Sequence, residues 1–242
     1  MSHHYENMPR CAFFIAGQDG RPAGTAFALA ASDTSPIFVA TARHVVRGCA
    51  PSPNDYTDLV MNSTAGEEFR IPICRAAWIE HETEDVAVTC LDRDDVEDTA
   101  SFTYFYLDDR IGKKWQEDFP LLGYRVITVG LFSEAPGKGV VRPVLRFGAV
   151  ARLNDERHLL RSADGTDQGD FDSYIVDVTS TPGFSGAPVF LDSNVPCVLG
   201  VLLGHWNISA PDGKTGSHHS GLALVSPTRY AAEVIDRWEP SG

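Results

Sequence analysis

Ser185 sits in the stretch Thr-Pro-Gly-Phe-Ser-Gly-Ala-Pro at residues 181–188, with glycines at 183 and 186 on either side. A serine hydroxyl is a poor nucleophile at neutral pH. It needs a base to accept its proton and donors to hold the oxyanion that develops on an attacked carbonyl. Backbone N–H groups serve as such donors when they point inward, which often requires backbone angles that a Cβ resists. Gly183 and Gly186 relieve that constraint, so the N–H groups of Gly183 and Ser185 are expected to converge on one point. Taken alone, the stretch fits a glycine-rich turn equally well.

The base must be a histidine, and there are several. His44 falls at the end of an apolar run in FVATARHVVRG. His81 stands among charges, His158 lies in a charged loop, and His205, His218 and His219 all follow the serine. The acid that orients a base belongs at the start of a buried strand. Asp85 in TEDVAVTCL fits, with Glu84 as the neighbour that competes for the role. Each residue also has an ordinary reading: a polar side chain at the edge of the core, and an Asp capping a strand.

Together the three stretches say more. TARHVV, EDVAV and PGFSGAPV, in that order, resemble the trypsin-like serine peptidases, and within them the bacterial branch of HtrA-type and glutamyl endopeptidases. The resemblance implies His44 as general base, Asp85 as its orienting acid, Ser185 as nucleophile, and Gly183 and Ser185 as oxyanion donors. The His–Asp–Ser order is the chymotrypsin-like one. GTAFAL, VLGVLLGHW and SGLALVSP are weaker likenesses, and the whole covers roughly residues 10–239. It implies an all-β fold of two six-stranded antiparallel barrels with a C-terminal helix. The first barrel would span about 10–112, the second 113–225 and the helix 226–239. An α/β-hydrolase would carry its serine on a strand-to-helix elbow with acid and base after it; Ala187 stands where that elbow wants Gly, and the α/β alternation is missing.

Departures from the family matter too. Arg43 precedes the base where relatives carry a small residue, and the N-terminal Ile-Val-Gly-Gly type sequence used in zymogen activation is missing. Control by a protein partner, an added domain or an effector is the expected alternative. The resemblance builds the primary specificity pocket from Thr179, Ser180, Leu202, Leu203, Gly204 and His205. Thr179 stands where an Asp would confer Arg/Lys preference. Relatives selective for Glu or Gln carry a His where Leu202 stands, so a short insertion would be needed to bring His205 in; otherwise the pocket is small or apolar.

The elements that must position these residues read mostly as strands. Runs such as CAFFIAG, PIFVATARHVV, DVAVTCL, YRVITVGLF and VPCVLGVLLG are short, rich in branched and aromatic residues, and bounded by Gly, Pro, Asp or Ser. SPTRYAAEVIDRWE is the exception. Ser226 suits a cap, Pro227 the first helical position, and Tyr230, Ala231, Val234, Ile235 and Trp238 form an apolar stripe. Residues 106–125 read as a link or long loop. RSADGTDQGDFDS reads as an exposed loop whose aspartates do not match an EF-hand calcium spacing.

The chain has 242 residues and a net charge of −13, without the basic stripe that nucleic-acid binding requires. Its five cysteines show no CxxC spacing, which suggests reduced thiols among apolar residues and a cytoplasmic location. Neither a secretion signal nor a membrane-spanning run is read. The expected partners are a protein or peptide substrate and a regulatory protein, with no nucleic acid, membrane, metal or cofactor. Two rival functions share the same residues: a catalytically silent peptide-binding scaffold, and a serine esterase.

Overall fold

The computed structural model describes residues 8–33, 35–96, 98–107, 121–161, 166–193, 197–209 and 217–238. The first half forms an eight-stranded curled sheet: β1 (Ala12–Ala16), β2 (Pro22–Ala30), β3 (Ile37–Thr41), β4 (Tyr56–Asn62), β5 (Glu68–Cys74), β6 (Ile79–Glu80), β7 (Ala87–Leu91) and β8 (Tyr104–Tyr106). Its order is β5-β4-β1-β2-β3-β7-β6, and β8 pairs with β2 in parallel. The second half begins with β9 (Arg125–Gly130) and β10 (Val144–Arg152). A hairpin of β11 (Arg157–Arg161) and β12 (Asp167–Asp172) stands apart as its own two-stranded sheet. Then follow β13 (Tyr174–Asp177), β14 (Pro188–Leu191), β15 (Cys197–Ser209) and β16 (Ser217–Pro227). Strands β10-β13-β16-β15-β14-β9 close into a six-stranded barrel. A helix at Arg229–Asp236 follows β16.

The strands carry apolar residues on both faces because both faces are covered. Phe13, Ile15, Ala26, Ala28 and Val39 point into the curl of the first sheet. Their neighbours Phe27, Leu29, Phe38 and Ala40 pack outward, on Ile127, Phe190 and Val201 of the barrel and on Val234 and Ile235 of the helix. This layer welds the two halves and fixes one set of site residues against the other. The helix stripe docks as its spacing predicts, with Trp238 meeting Phe38 edge-on at 5.5 Å between ring centroids.

Several expectations are corrected in detail. The all-β fold of two strand-built units with a C-terminal helix is as expected; in detail the first unit is a curled half-barrel sheet with one parallel pairing, where a closed antiparallel six-stranded barrel is implied. The helix starts at Arg229, not at 226, because Ser226 and Pro227 still belong to β16, and the Thr228 hydroxyl donates to the Val198 carbonyl instead of capping the helix. The polar stretch 161–173 is not simply an exposed loop: Asp167–Asp172 is a strand, with Phe171 and Asp172 buried. The boundary at 112/113, most of the segment 106–125, and Asp164 lie outside the described residues. None of the five cysteines forms a disulfide, and only Cys11 is fully buried. Burial pushes the Cys49 and Cys90 thiols up to about 11, with Asp19 and Asp92 adding to it, so neither is a thiolate at neutral pH.

Candidate active site

His44 is expected at a strand end. It lies instead in the first turn of a short helix, Arg43–Cys49, that begins directly after β3. Ala42 at its N-cap has no side chain to offer the exposed N–H groups. Asp85 supplies the missing acceptors from across the fold. Its Oδ1 accepts the His44 backbone N–H at 2.9 Å, and its carbonyl accepts the Arg43 N–H at 3.2 Å. Its Oδ2 lies 2.6 Å from His44 Nδ1. A carboxylate only accepts, so Nδ1 carries the proton and Nε2 keeps its lone pair. One carboxylate, 2 % exposed, thereby fixes both the backbone and the ring tautomer of His44. The imidazole itself is 28 % exposed.

Arg43 turns toward this pair. Its Nη1 donates to the His81 carbonyl at 3.0 Å, its Nε stands 4.0 Å from Asp85 Oδ1, and its guanidinium lies over the Phe171 ring.

Ser185 follows a turn whose conformation requires glycine. Gly183 has φ +99° and Gly186 φ +88°. A Cβ on Gly183 would stand 2.3 Å from the Leu131 carbonyl oxygen. One on Gly186 would stand 2.0 Å from the Thr25 carbonyl oxygen and 3.1 Å from Ala42 N. The serine turn is thus pressed against the strand that feeds His44. Gly186→Ala is expected to lower stability by about 3 kcal/mol or more through the left-handed strain and this overlap, read as a fall in the urea midpoint at unchanged m-value.

Thr25, fully buried on β2, ties the turn down. Its N–H donates to the Ser185 carbonyl at 2.8 Å and its hydroxyl to the Gly183 carbonyl at 2.5 Å. That hydroxyl in turn accepts the Leu131 N–H at 3.1 Å. Within the turn, the N–H groups of Phe184, Gly186 and Ala187 donate to Thr181, Leu202 and Phe184 carbonyls. Those of Gly183 and Ser185 have no acceptor among the described residues. The Ser185 hydroxyl donates to the Leu203 carbonyl at 3.0 Å, and no hydrogen bond joins it to His44.

The residues named for the specificity pocket divide. Thr179 is exposed and Ser180 buried. The Leu202 and Leu203 side chains belong to two different core clusters, and the Leu203 carbonyl accepts the Ser185 hydroxyl. Gly204 and His205 are half-buried on β15. The His205 ring stacks on that of His219, with centroids 4.3 Å apart and planes 23° apart. His219 Nδ1 accepts the Gly221 N–H at 2.9 Å, so in the neutral ring the proton sits on Nε2, which faces Ser180 Oγ at 3.5 Å. Sequence reasoning missed His219 and Thr25 as site residues. His219 reaches Ser180 through the pairing of β13 with β16, and His205 through that of β15 with β16. Thr25 stands beside Gly24 in GTAFAL, where nothing local marks it as a partner of the serine turn.

Among the described residues no three His, Cys, Asp or Glu side chains gather as a metal site, and no helix is long and apolar enough to cross a membrane.

The family model for the trypsin-like peptidase domain matches residues 24–201. The chain belongs to that family. Among solved structures, that of Deg5 is similar at 14 % identity and a TM-score of 0.55, over 95 % of this chain and 88 % of the other. That of the serine endoprotease from Yersinia pestis is similar at 13 % identity and a TM-score of 0.55, over 96 % of this chain and 64 % of the other. The chain thus spans less than two thirds of that second protein. No curated protein matches. These likenesses establish the chymotrypsin-like fold.

Proposed function

We propose that this trypsin-like peptidase domain is a serine endopeptidase working through an acyl-enzyme on Ser185. The observation that supports it best is the double grip of Asp85 on His44, which leaves Nε2 as the free base beside a serine turn with two unengaged N–H groups. In the reaction, Ser185 Oγ turns from the Leu203 carbonyl to His44. His44 Nε2 takes the hydroxyl proton as Oγ attacks the substrate carbonyl, and the Gly183 and Ser185 N–H groups hold the oxyanion. The imidazolium, balanced by Asp85, then gives its proton to the leaving amine. Water, activated by the same His44, hydrolyses the ester.

A fluorophosphonate probe tests this reading. Labelling that requires both Ser185 and His44 is the expected result; absence of labelling in every condition, with candidate activating proteins included, overturns it. The second reading, a silent peptide-binding scaffold, takes its support from the hydrogen bond that holds the Ser185 hydroxyl on Leu203. The esterase reading is separated by comparing peptide with simple ester substrates.

For specificity, Ser180 Oγ and His219 Nε2–H stand together and His205 backs the ring. These donors suit a Glu or Gln side chain at the residue before the cleaved bond. A peptide library should show that preference, and His219→Ala should reduce it about tenfold, the worth of one hydrogen bond to a charged group. A library profile unchanged by this substitution removes His219 from the pocket. Five cysteines without a disulfide favour a reducing, cytoplasmic setting, and the resting position of Ser185 favours a protein partner that resets it.

A further inference from the structure

Glu84 precedes Asp85 and is only 1 % exposed. Two adjacent carboxylates buried together each need their own compensation. Asp85 has His44. Glu84 is served largely from the second half of the chain. Arg157 Nη1 on β11 donates to its Oε1 at 2.8 Å, and the Asp172 N–H at the end of β12 donates to its Oε2 at 2.9 Å. The Thr83 hydroxyl completes the set at 3.1 Å. The Glu84 N–H itself donates to His81 Nδ1 at 3.0 Å.

The same hairpin also reaches the residue before His44. Phe171 of β12 lies under the Arg43 guanidinium, 5.9 Å from ring centroid to guanidinium carbon. Leu160 and Phe171 are buried in one cluster with Ala42, Val45 and Ala87. Arg157 is aimed by the hairpin itself, since its Nη2 donates to the Asp170 carbonyl across the strand pair at 2.6 Å. The hairpin is not continuous with either larger sheet. Its hold on the first half therefore runs through side chains and the Asp172 N–H.

We propose that the β11–β12 hairpin is a positioning clasp: Arg157 on Glu84, with Phe171 on Arg43, grips the residues preceding Asp85 and His44 and holds that pair in register with Ser185. The proposal rests on the triad reading above. The Asp85 carboxylate must meet two donors of His44 at once, so a small rotation of the 84–85 peptide loses one of them. Misplacing reacting groups by about 1 Å costs on the order of 10²-fold in rate. Arg157 and Glu84 act through Asp85 and touch no substrate; they are positioning residues.

The test is Arg157→Met, which keeps the alkyl stem of a side chain 49 % exposed and removes the charge from Glu84. Expected are a kcat lower by about 10- to 100-fold, KM within about twofold, and broadening of the low-field proton resonance of His44 Nδ1–H. Arg157→Lys should recover part of both. Glu84→Gln, which preserves shape, should move both readouts in the same direction and decides the matter if Arg157→Met does not fold. A sharp, unshifted His44 resonance in the folded variant overturns the clasp, whatever kcat does, and so does a kcat within twofold of the parent. If the parent protein neither hydrolyses peptides nor takes up a fluorophosphonate, the peptidase reading fails, while the resonance still decides whether the hairpin holds Asp85 on His44.

Discussion

Ser185→Ala is expected to lower turnover on the order of 10⁶-fold, as loss of the nucleophile does where a triad acts as a unit, while the protein stays folded. The hydroxyl makes one hydrogen bond, to the Leu203 carbonyl. Losing it should lower stability by about 1 kcal/mol, the usual net worth of a single hydrogen bond. The backbone that shapes the turn is held elsewhere: by Thr25 through the Ser185 and Gly183 carbonyls, by the buried Phe184 side chain in the barrel core, and by glycines at 183 and 186. Alanine fits the backbone at 185, where φ is not positive. Turnover on peptide substrates and the thermal midpoint, measured on one preparation, give the result. Cleavage at the parental rate by the alanine variant would remove Ser185 from the mechanism and the acyl-enzyme with it.

The residues of the candidate site stand out in the sequence because each carries its own local grammar. A serine between glycines needs a special turn, and an Asp that opens an apolar strand is poised to be buried. Their partners were not legible, because they arrive from far along the chain. Thr25 reaches Gly183 and Arg157 reaches Glu84 only once the two halves are packed. The same distance explains the misread start of the His44 helix: the run TARHVV looks like the end of a strand, and the cap that makes it a helix is Asp85, 41 positions away. The family resemblance implies a closed first barrel, and the first unit is a curled half-barrel sheet. Strand counting from apolar runs cannot see closure, since runs buried on both faces lose the alternation that would show which face curls inward. The hairpin was hidden by its composition. In RSADGTDQGDFDS only Phe171 is apolar beyond alanine, yet that ring and the Asp172 N–H are what join the stretch to the site.

Asp85→Asn tests the orienting carboxylate with almost no change of shape. The carboxylate now accepts two hydrogen bonds from one residue, the backbone N–H and the Nδ1–H of His44. An asparagine has a single acceptor oxygen to meet them. With that oxygen on Nδ1–H, its amide donors face the backbone N–H, leaving a buried donor at the helix start unsatisfied at a cost of about 1–3 kcal/mol. With the oxygen on the backbone N–H, the amide donates to Nδ1, and the imidazole must carry its proton on Nε2. The second arrangement satisfies every group and is the one the variant should adopt. It also places a proton on the nitrogen that has to accept one from Ser185. Turnover should fall about 10⁴-fold, the loss measured for the same exchange in a related triad, with only a small change in the thermal midpoint. The low-field resonance of Nδ1–H should disappear. Adding Ser185→Ala to Asp85→Asn should cost no more than Ser185→Ala alone, because a carboxylate that acts through the base has nothing left to orient it for. A loss of less than tenfold in Asp85→Asn, or losses that multiply in the double variant, would mean that His44 is held for structure and that the chemistry at Ser185 draws its base from elsewhere.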